Sequence, residues 1–265
     1  MIVFSDLDRS IIYSNKFLNA DSKYANIEIY REKEISYISL DTINLIKQIQ
    51  YYGMFIPTTT RTVEQFKRIE FNKYGIYFPW SITSNGGVIL KDNEILKSWS
   101  EKIDKLKPDY EPIESMIHKF KDYLNVDGIT NFKVAEDTFF YIVVDFSRFN
   151  LDSIKEYTNI LESKNWKFYV SGRKIYFIPK EISKENAIKY LTKELGIEYF
   201  YAVGDSIMDY GMLNISNKSY VLKHGDINKN EIENSFISSS FKGMSGTEEI
   251  LSNILDGTAY LIYND

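Results

Sequence analysis

The sequence contains no cysteine and only two histidines among its 265 residues. Without cysteine there can be no disulfide, no thiolate metal site and no cysteine nucleophile. His118 and His224 do not have the spacing of zinc ligands, so a zinc site is also disfavoured. We interpret His224, which lies in a polar stretch, as a loop residue and not as a catalyst.

The sequence also lacks an excess of positive charge and a long apolar run. The net charge is −5, which disfavours binding to the phosphate backbone of nucleic acids. No apolar run approaches the roughly 20 residues that span a bilayer, and no basic segment of the signal-peptide type precedes the first strand. We therefore expect a cytoplasmic protein that binds neither nucleic acid nor membrane, with an unknown oligomeric state.

The chain begins with a short apolar run, Ile2 to Phe4, followed by two carboxylates. The run is typical of a buried strand. Asp6 and Asp8 are two residues apart and would leave the carboxyl end of this strand on the same side. Like charges held this close need a cation between them, and oxygen ligands favour Mg²⁺. By itself, the pattern is equally compatible with a strand that ends in a polar turn.

Strands and helices alternate over the first 87 residues and again after residue 178, which indicates an α/β protein with a parallel sheet. Alternating segments at 27–30 and 35–38 predict a hairpin with a four-residue loop, either a flap over the aspartates or an exposed decoration. The other elements expected here are helices at 40–51, 63–73, 184–195 and 247–255, and strands at 54–57, 80–83, 199–203, 219–222 and 235–238.

The pattern changes between these two segments. A hairpin at 88–96 is followed by helix–strand–strand twice over, which predicts a small α+β domain with an antiparallel sheet. We therefore expect a Rossmann-like core of residues 1–87 and 179–265, with a cap domain of residues 88–178 inserted into it. The elements expected in the cap are helices at 111–124 and 151–164 and strands at 129–136, 139–146, 166–170 and 174–178.

Polar residues follow three of the predicted core strands. Because the carboxyl ends of parallel strands meet at one edge of the sheet, we expect these residues to share a site. Acids that hold a cation, with a hydroxyl and a lysine that bind an anion, indicate phosphoryl transfer to an aspartate. The residues are Asp6 with Asp8, Thr58 with Thr59 and Thr60, and Asp205 with Asp209, together with Lys184 near the start of the preceding helix.

In this order the residues resemble the four motifs of the haloacid dehalogenase-like hydrolases. The resemblance covers essentially the whole chain, because the inserted domain and Ser84-Asn85-Gly86-Gly87 look like the C2-capped (IIB) branch. That branch includes sucrose-phosphate and other sugar-phosphate phosphatases. The matching motifs are Asp6-Leu7-Asp8-Arg9-Ser10, Thr59-Thr60-Arg61, Lys184 and Gly204-Asp205-Ser206-Ile207-Met208-Asp209.

The resemblance implies a role for each motif residue. Asp6 would be the nucleophile, and Asp8 would protonate the leaving alcohol and then activate water. Thr59 and Lys184 would bind the phosphoryl group, and Lys184 would also restrain Asp6. The residues that would hold Mg²⁺ are Asp6, Asp8 through its backbone carbonyl, Asp205 and Asp209, the last either as a ligand or as a neighbour of the ligands.

Three positions depart from the family pattern. Ser10 replaces the usual threonine, and Met208 stands where asparagine is common. Thr60 stands where glycine is usual, which leaves open whether Thr58, Thr59 or Thr60 is the phosphate-binding hydroxyl. None of these changes removes a residue that would touch the metal or the phosphate, so we expect activity.

Thr60, Arg61 and Asn85 are the candidate substrate contacts. Arg61 could instead pair with a surface acid, and Asn85 with Gly86 could form an ordinary turn. Aromatic residues of the cap are more typical of a domain core than of a sugar-binding platform. They include Phe139, Tyr141 and Trp166.

The leading hypothesis is a Mg²⁺-dependent phosphatase that hydrolyses a small phosphorylated metabolite, with sugar phosphates favoured, through an aspartyl-phosphate. A phosphomutase or phosphotransferase would use the same aspartates and pass the phosphoryl group to a second alcohol. A non-catalytic regulator that kept the fold is the alternative from another class. The choice of substrate depends on which cap side chains face the site.

Overall fold

The central feature of the computed structural model is a parallel sheet in which β1 (Ile2–Ser5) is an interior strand. The structure describes residues 1–18, 23–227 and 236–262, without the side chains of 258–262. Residues Ile2 to Phe4 of β1 are apolar because both faces of the strand are covered: Val3 and Phe4 are fully buried in separate clusters on opposite sides of the sheet. The elements of this first part are β1 (Ile2–Ser5), β2 (Tyr24–Tyr30), β3 (Lys33–Ser39), α1 (Leu40–Tyr52), β4 (Met54–Pro57), α2 (Val63–Lys67) and β5 (Trp80–Thr83).

The β2–β3 hairpin packs against the core. Its turn consists of two residues, Arg31 and Glu32, with φ of 50° and 63°, so the expected four-residue loop is wrong. Ile27 and Ile38 are fully buried, and so is the carboxylate of Glu28. The hairpin is therefore not an exposed decoration, and its residues are not among those that line the cavity beside Asp6, as a flap would require.

The helix expected at 63–73 is shorter than predicted. Helix α2 ends at Lys67, and a separate 3₁₀ turn follows at Phe71–Tyr74. The reason is tertiary: the backbone N–H of Glu70 donates to the carbonyl of Ile27 in the hairpin, at 2.8 Å, and not to its own helix.

The first part of the predicted insertion packs on the core. Strand β5 pairs antiparallel with the hairpin that follows it, and a parallel bridge joins Thr58 to Ile82. The next helix was not predicted, although Trp99 and Ile103 have helical spacing; its Trp99 Nε1 donates to the carbonyl of Gly86 at 3.0 Å. The predicted boundary of the cap at residue 88 stays a prediction. The hairpin consists of β6 (Val88–Lys91) and β7 (Glu94–Ile95), and the helix is α3 (Lys97–Leu106).

The cap has the predicted helix–strand–strand order twice over and a four-stranded antiparallel sheet. One face of that sheet packs on the two cap helices, where Phe140 and Phe177 are fully buried beside Phe120. Trp166 lies in this cluster as expected, whereas Tyr141 is on the opposite face. The elements are α4 (Ile113–Phe120), β8 (Ile129–Ala135), β9 (Phe139–Val144), α5 (Lys155–Leu161), β10 (Trp166–Ser171) and β11 (Lys174–Pro179), in the sheet order β10-β11-β9-β8.

The chain then returns to the parallel sheet and adds β12 (Tyr201–Gly204), β13 (Lys218–Val221) and β14 (Ile237–Ser238) to it, which gives the order β14-β13-β12-β1-β4. The expected α/β core with an inserted α+β cap is thus confirmed. Helix α8 is longer than the predicted 247–255, and residue 235 of the last expected strand is outside the described residues. None of the described helices has the length and apolar character needed to cross a bilayer. The final elements are α6 (Lys184–Leu195), β12 (Tyr201–Gly204), α7 (Tyr210–Asn214), β13 (Lys218–Val221), β14 (Ile237–Ser238) and α8 (Gly243–Ile262).

Candidate active site

Three carboxylates meet at the carboxyl end of the parallel sheet. Asp6 follows β1, and its N–H donates to the carbonyl of Val203 in β12 at 2.9 Å. This pairing brings Asp6 next to the loop after β12, which carries Asp205 and Asp209. One oxygen of each carboxylate lies within 4.8 Å of the others, and all three residues are buried. The structure therefore brings together three of the four residues predicted to hold a metal.

Asp209 is fixed by its own loop. Its Oδ2 accepts hydrogen bonds from the N–H groups of Asp205 and Ser206, at 3.0 and 2.9 Å, and from Ser206 Oγ at 3.1 Å. A side chain at Gly204 would place its Cβ 2.6 Å from Asp209 Cβ, so the close approach requires glycine. Only Oδ1 of Asp209 remains for the centre of the site.

Lys184 connects two of these acids. Its Nζ donates to Asp6 Oδ1 at 2.6 Å and to Asp209 Oδ1 at 2.7 Å, and the side chain is almost completely buried. Lys184 is the first residue of α6, whose N-cap is Ser183. The backbone of Gly86 packs directly on this turn, where a Cβ would lie 2.1 Å from the carbonyl oxygen of Ser183. The loop after β5 thereby positions the lysine.

The protein alone leaves a surplus of negative charge here. Burial, with further contributions from Asp209 and Asp8 and against the attraction of Lys184, raises the pKa of Asp6 to about 7. Burial and the neighbouring carboxylates also raise the pKa of Asp205. Burial opposes the charge of Lys184, but the two acids outweigh it and raise its pKa.

Asp205 presents an unused ligand atom. Its Oδ2 is buried and accepts no hydrogen bond in the described part of the chain, although Arg9 Nε lies 3.3 Å away. A divalent cation that prefers oxygen ligands fits this group of carboxylates, since it would neutralise the surplus charge and use the orphaned atom. The ligand chemistry therefore fits the metal that the sequence predicts.

Asp8 lies apart from the three clustered acids. Its side chain is half-exposed, and Arg61 holds it through Nε to Oδ2 at 2.7 Å and Nη2 to Oδ1 at 2.8 Å. Burial of the surrounding crevice opposes ionisation, but Arg61 outweighs it and lowers the pKa of Asp8. The metal contact predicted for Asp8 involves its backbone carbonyl and stays a prediction.

Arg61 is itself anchored by the hairpin. Its Nη1 donates to Glu28 Oε1 at 2.9 Å, and Arg68 donates to the same oxygen at 2.8 Å. Ser36 Oγ donates to the other oxygen of Glu28 at 2.5 Å. Arg61 therefore pairs with acids, as one of its two predicted roles required; one of them, Asp8, is half-exposed, and the other, Glu28, is buried.

The three consecutive threonines have different surroundings. Thr58 and Thr59 are fully buried, and the hydroxyl of Thr58 donates to the carbonyl of Ile56 at 3.2 Å. Thr59 Oγ1 accepts from the N–H of Arg61 at 3.1 Å, which leaves its proton free to donate. Thr60 lines the cavity that lies between Asp6 and the cap sheet. The structure thus argues against Thr58 as the phosphate-binding hydroxyl.

Asn85 does not line that cavity. Its Nδ2 donates to the carbonyl of Ile182 at 3.2 Å, and its N–H donates to the carbonyl of Thr59 at 3.0 Å. It lines a smaller cavity on the other side of Lys184. The structure therefore does not place Asn85, a predicted substrate contact, in the cavity beside Asp6. Its hydrogen bonds instead support the loops around the site.

A cavity of about 500 Å³ lies between the acids and the cap sheet. Its cap side contains polar and aromatic residues that the sequence analysis did not assign to the site. Strand alternation indicates which residues share a face, but only the packing of the cap decides which face is turned toward the core. These residues are Asn131, Lys133, Tyr141, Ser171, Arg173, Lys174 and Tyr176.

Comparison with solved structures shows the same fold. The sucrose-phosphatase from Synechocystis sp. PCC6803, solved with sucrose and phosphate, is 14% identical, with 97% of each chain covered and a TM-score of 0.69. A haloacid dehalogenase-like hydrolase from B. subtilis is 16% identical, with 96% of this chain and 99% of that chain covered and a TM-score of 0.62. A protein related to trehalose-6-phosphate phosphatase is 13% identical, with 98% and 100% covered and a TM-score of 0.57.

Comparison by sequence gives one family match. A search of curated proteins found no match. The family model described as haloacid dehalogenase-like hydrolase matches residues 107–239, which is half of the chain. The match runs from the cap through Lys184, Asp205 and Asp209, and the fold supplies Asp6 beside them. The chain therefore belongs to the haloacid dehalogenase-like hydrolases.

Proposed function

We propose that this protein is a Mg²⁺-dependent phosphatase that hydrolyses a small phosphorylated metabolite through an aspartyl-phosphate on Asp6. The observation that carries the proposal is the position of Lys184 Nζ between Asp6 and Asp209, at 2.6 and 2.7 Å, beside the third carboxylate of Asp205. Such a site combines a carboxylate nucleophile with groups that neutralise its charge and that of a phosphoryl group.

Asp6 is the proposed nucleophile because it lies at the floor of the cavity with one oxygen held by Lys184. The bond to the lysine fixes the carboxylate and leaves Oδ2 to attack phosphorus. Lys184 also reduces the repulsion between the attacking carboxylate and the phosphoryl oxygens. The hydroxyl of Thr59 is the proposed donor to one of these oxygens.

Asp8 is the proposed proton donor to the leaving alcohol and, in the second step, the base that activates water. Its half-exposed carboxylate lines the same cavity as Asp6, which is the position that a leaving-group contact requires. Arg61 donates to both oxygens of Asp8 and lowers its pKa, so it favours the ionised form that acts as the base in the second step.

Mg²⁺ is the proposed metal, held by Asp6, Asp205 and the backbone carbonyl of Asp8, with Asp209 as a ligand or a neighbour of the ligands. When bound, it would supply positive charge that neutralises the nucleophile and the phosphoryl oxygens. The all-oxygen donor set and the orphaned Asp205 Oδ2 support this assignment.

The substrate is proposed to be a sugar phosphate or a compound of similar size. The cavity of about 500 Å³ is large enough for a mono- or disaccharide. The fold shared with a sucrose-phosphatase that binds sucrose and phosphate supports this class, as does the fold shared with the relative of a trehalose-6-phosphate phosphatase. The cap would exclude bulk water and select the leaving group.

The test is a panel of phosphate esters with Mg²⁺, comparing the wild type with Asp6→Asn and Asp8→Asn. We expect both variants to lose at least about a thousandfold in kcat while their melting curves keep a single cooperative transition. Undiminished hydrolysis by Asp6→Asn would eliminate the mechanism. Release of inorganic phosphate, rather than transfer to a second alcohol, distinguishes the phosphatase from a phosphomutase or phosphotransferase.

A non-catalytic regulator is the remaining alternative. The acids and the lysine around the site are all present, which argues against loss of activity. Absence of turnover across the whole panel with Mg²⁺, combined with tight binding of a protein partner, would favour this alternative.

A further inference from the structure

The face of the cap sheet that lies over the site has a regular arrangement. Lys133, Tyr141 and Tyr176 are direct cross-strand neighbours in β8, β9 and β11 and therefore point to the same side. Lys174 lies in the next row, opposite Val143, and its Nζ is 5.1 Å from the ring centre of Tyr141 and 5.8 Å from that of Tyr176. Two lysines thus flank a pair of aromatic rings that line the cavity.

The charges around the cavity do not balance. The protein has a net charge of −5, yet seven cationic side chains and only three carboxylates line this cavity. Four of the cations have acidic partners within the protein. These pairs are Lys184 with Asp6 and Asp209, Arg9 with Asp205, Arg61 with Asp8 and Glu28, and Arg68 with Glu28.

The other three cations, Lys133, Arg173 and Lys174, all belong to the cap. Within the described residues, none of them has a carboxylate at ion-pair distance. All three are exposed and line the cavity. A metal and a transferred phosphoryl group would add charges of opposite sign at the floor, so they would leave the cap charges unbalanced.

We propose that the cap binds a second anionic group of the substrate, a carboxylate or a second phosphate, through Lys133, Lys174 and Arg173. The inference rests on the proposed phosphatase function and narrows its substrate to esters whose leaving group is itself negatively charged. Tyr141 and Tyr176 would pack against the carbon skeleton between the two anions. Electrostatic attraction of such a substrate into the cavity would also increase its association rate.

The test uses matched pairs of esters that differ by one anionic group. 3-Phosphoglycerate against glycerol 3-phosphate tests a carboxylate, and glucose 1,6-bisphosphate against glucose 6-phosphate tests a second phosphate. We expect the wild type to favour the doubly anionic member of at least one pair by about tenfold or more in kcat/KM. In Lys133→Met and Lys174→Met that ratio should fall about tenfold, whereas Lys155→Met, at an exposed lysine of α5, should keep it.

Failure of this inference and failure of the phosphatase function give different results. Turnover of both members of each pair at equal kcat/KM, or an unchanged ratio in the lysine variants, would overturn the anion site alone. If no ester is hydrolysed, calorimetric titration with the same four compounds decides. Tighter binding of a doubly anionic member that is lost in Lys174→Met supports the site, and equal binding of both members overturns it.

Discussion

The guanidinium of Arg61 donates two parallel hydrogen bonds, of 2.7 and 2.8 Å, to the carboxylate of Asp8. A bidentate pair of this kind fixes both the position and the charge of the acid. Arg61 is held in turn by Glu28, a buried carboxylate of the β2–β3 hairpin. Glu28 of the hairpin therefore acts on the proposed proton donor, Asp8, through a single arginine.

Arg61→Met is expected to shift the pH dependence of activity. The guanidinium lowers the pKa of Asp8, so its removal should raise that pKa. Because Asp8 must carry a proton to release the leaving alcohol, the alkaline limb of the kcat/KM profile should move to higher pH. We also expect kcat to fall by about tenfold or more, because the orientation of the carboxylate is lost.

Arg68→Met is the matched control, since Arg68 contacts Glu28 and not Asp8. It should leave the alkaline limb in place. An alkaline limb that is the same in Arg61→Met and in the wild type would contradict the role of Asp8 as the proton donor.

Mg²⁺ is expected to stabilise the fold through Asp205. At about 100 times its dissociation constant, a ligand adds about 2.7 kcal/mol, which corresponds to a rise in Tm of roughly 5–10 °C for a protein of this size. Asp205→Asn should lose this rise. Without metal, Asp205→Asn should melt at or above the wild-type Tm, because it removes a buried charge beside two other carboxylates.

The Mg²⁺-dependent rise should shrink as the pH falls below about 7, since Asp6, with a pKa of about 7, must lose its proton to bind the metal. Asp104→Asn, at an exposed ion pair of α3, provides the control and should respond to Mg²⁺ like the wild type. Equal rises in Tm for Asp205→Asn and the wild type would exclude Asp205 as a ligand.

The threonine series should identify the phosphate-binding hydroxyl. We expect Thr59→Ala to lower kcat/KM by about tenfold to a hundredfold and Thr59→Ser to restore most of it. Thr60→Gly, which introduces the residue usual in the family, should have a smaller effect. The measurements are kcat/KM and the inhibition constant of inorganic phosphate, a competitive inhibitor, for each variant. A larger loss of kcat/KM in Thr60→Ala than in Thr59→Ala would reassign the role to Thr60.

His224 is expected to reduce stability in mild acid. Its Nε2 lies 2.9 Å from the carbonyl of Arg9, and its Nδ1 accepts from the N–H of Gly243 at 3.1 Å, so the neutral ring is required. Burial lowers the pKa of His224 below its usual 6.5. The unfolded chain then binds a proton that the folded chain excludes, so stability present above about pH 6.5 is lost as the pH falls.

The measurement is Tm between pH 7.5 and pH 5, together with NMR titration of the ring proton. Wild type should lose more stability over this range than His224→Gln, which cannot take up the proton. His118→Gln should behave like the wild type. A ring that titrates above 6.5 would refute the assignment of the neutral form.

The sequence alone determined the position of the acids in the chain and their common location. Apolar runs such as Ile2 to Phe4 that alternate with helices are typical of a parallel sheet covered on both faces, and parallel strands deliver their carboxyl ends to one edge. The side-chain caps of Ser39 and Ser183 likewise mark the starts of α1 and α6, and therefore the position of Lys184. These features are local, so the order of residues is enough to predict them.

Only the tertiary structure decided what surrounds the acids. The alternation of the cap strands places Lys133 and Tyr141 on one face, but the packing of the cap on the core decides that this face looks into the cavity. The contact of Glu28 with Arg61 likewise joins a hairpin to a distant loop. A side chain's charge and spacing are properties of the sequence, whereas its partners depend on how separate elements pack, and that packing sets the pKa of Asp8 and the charge of the cavity.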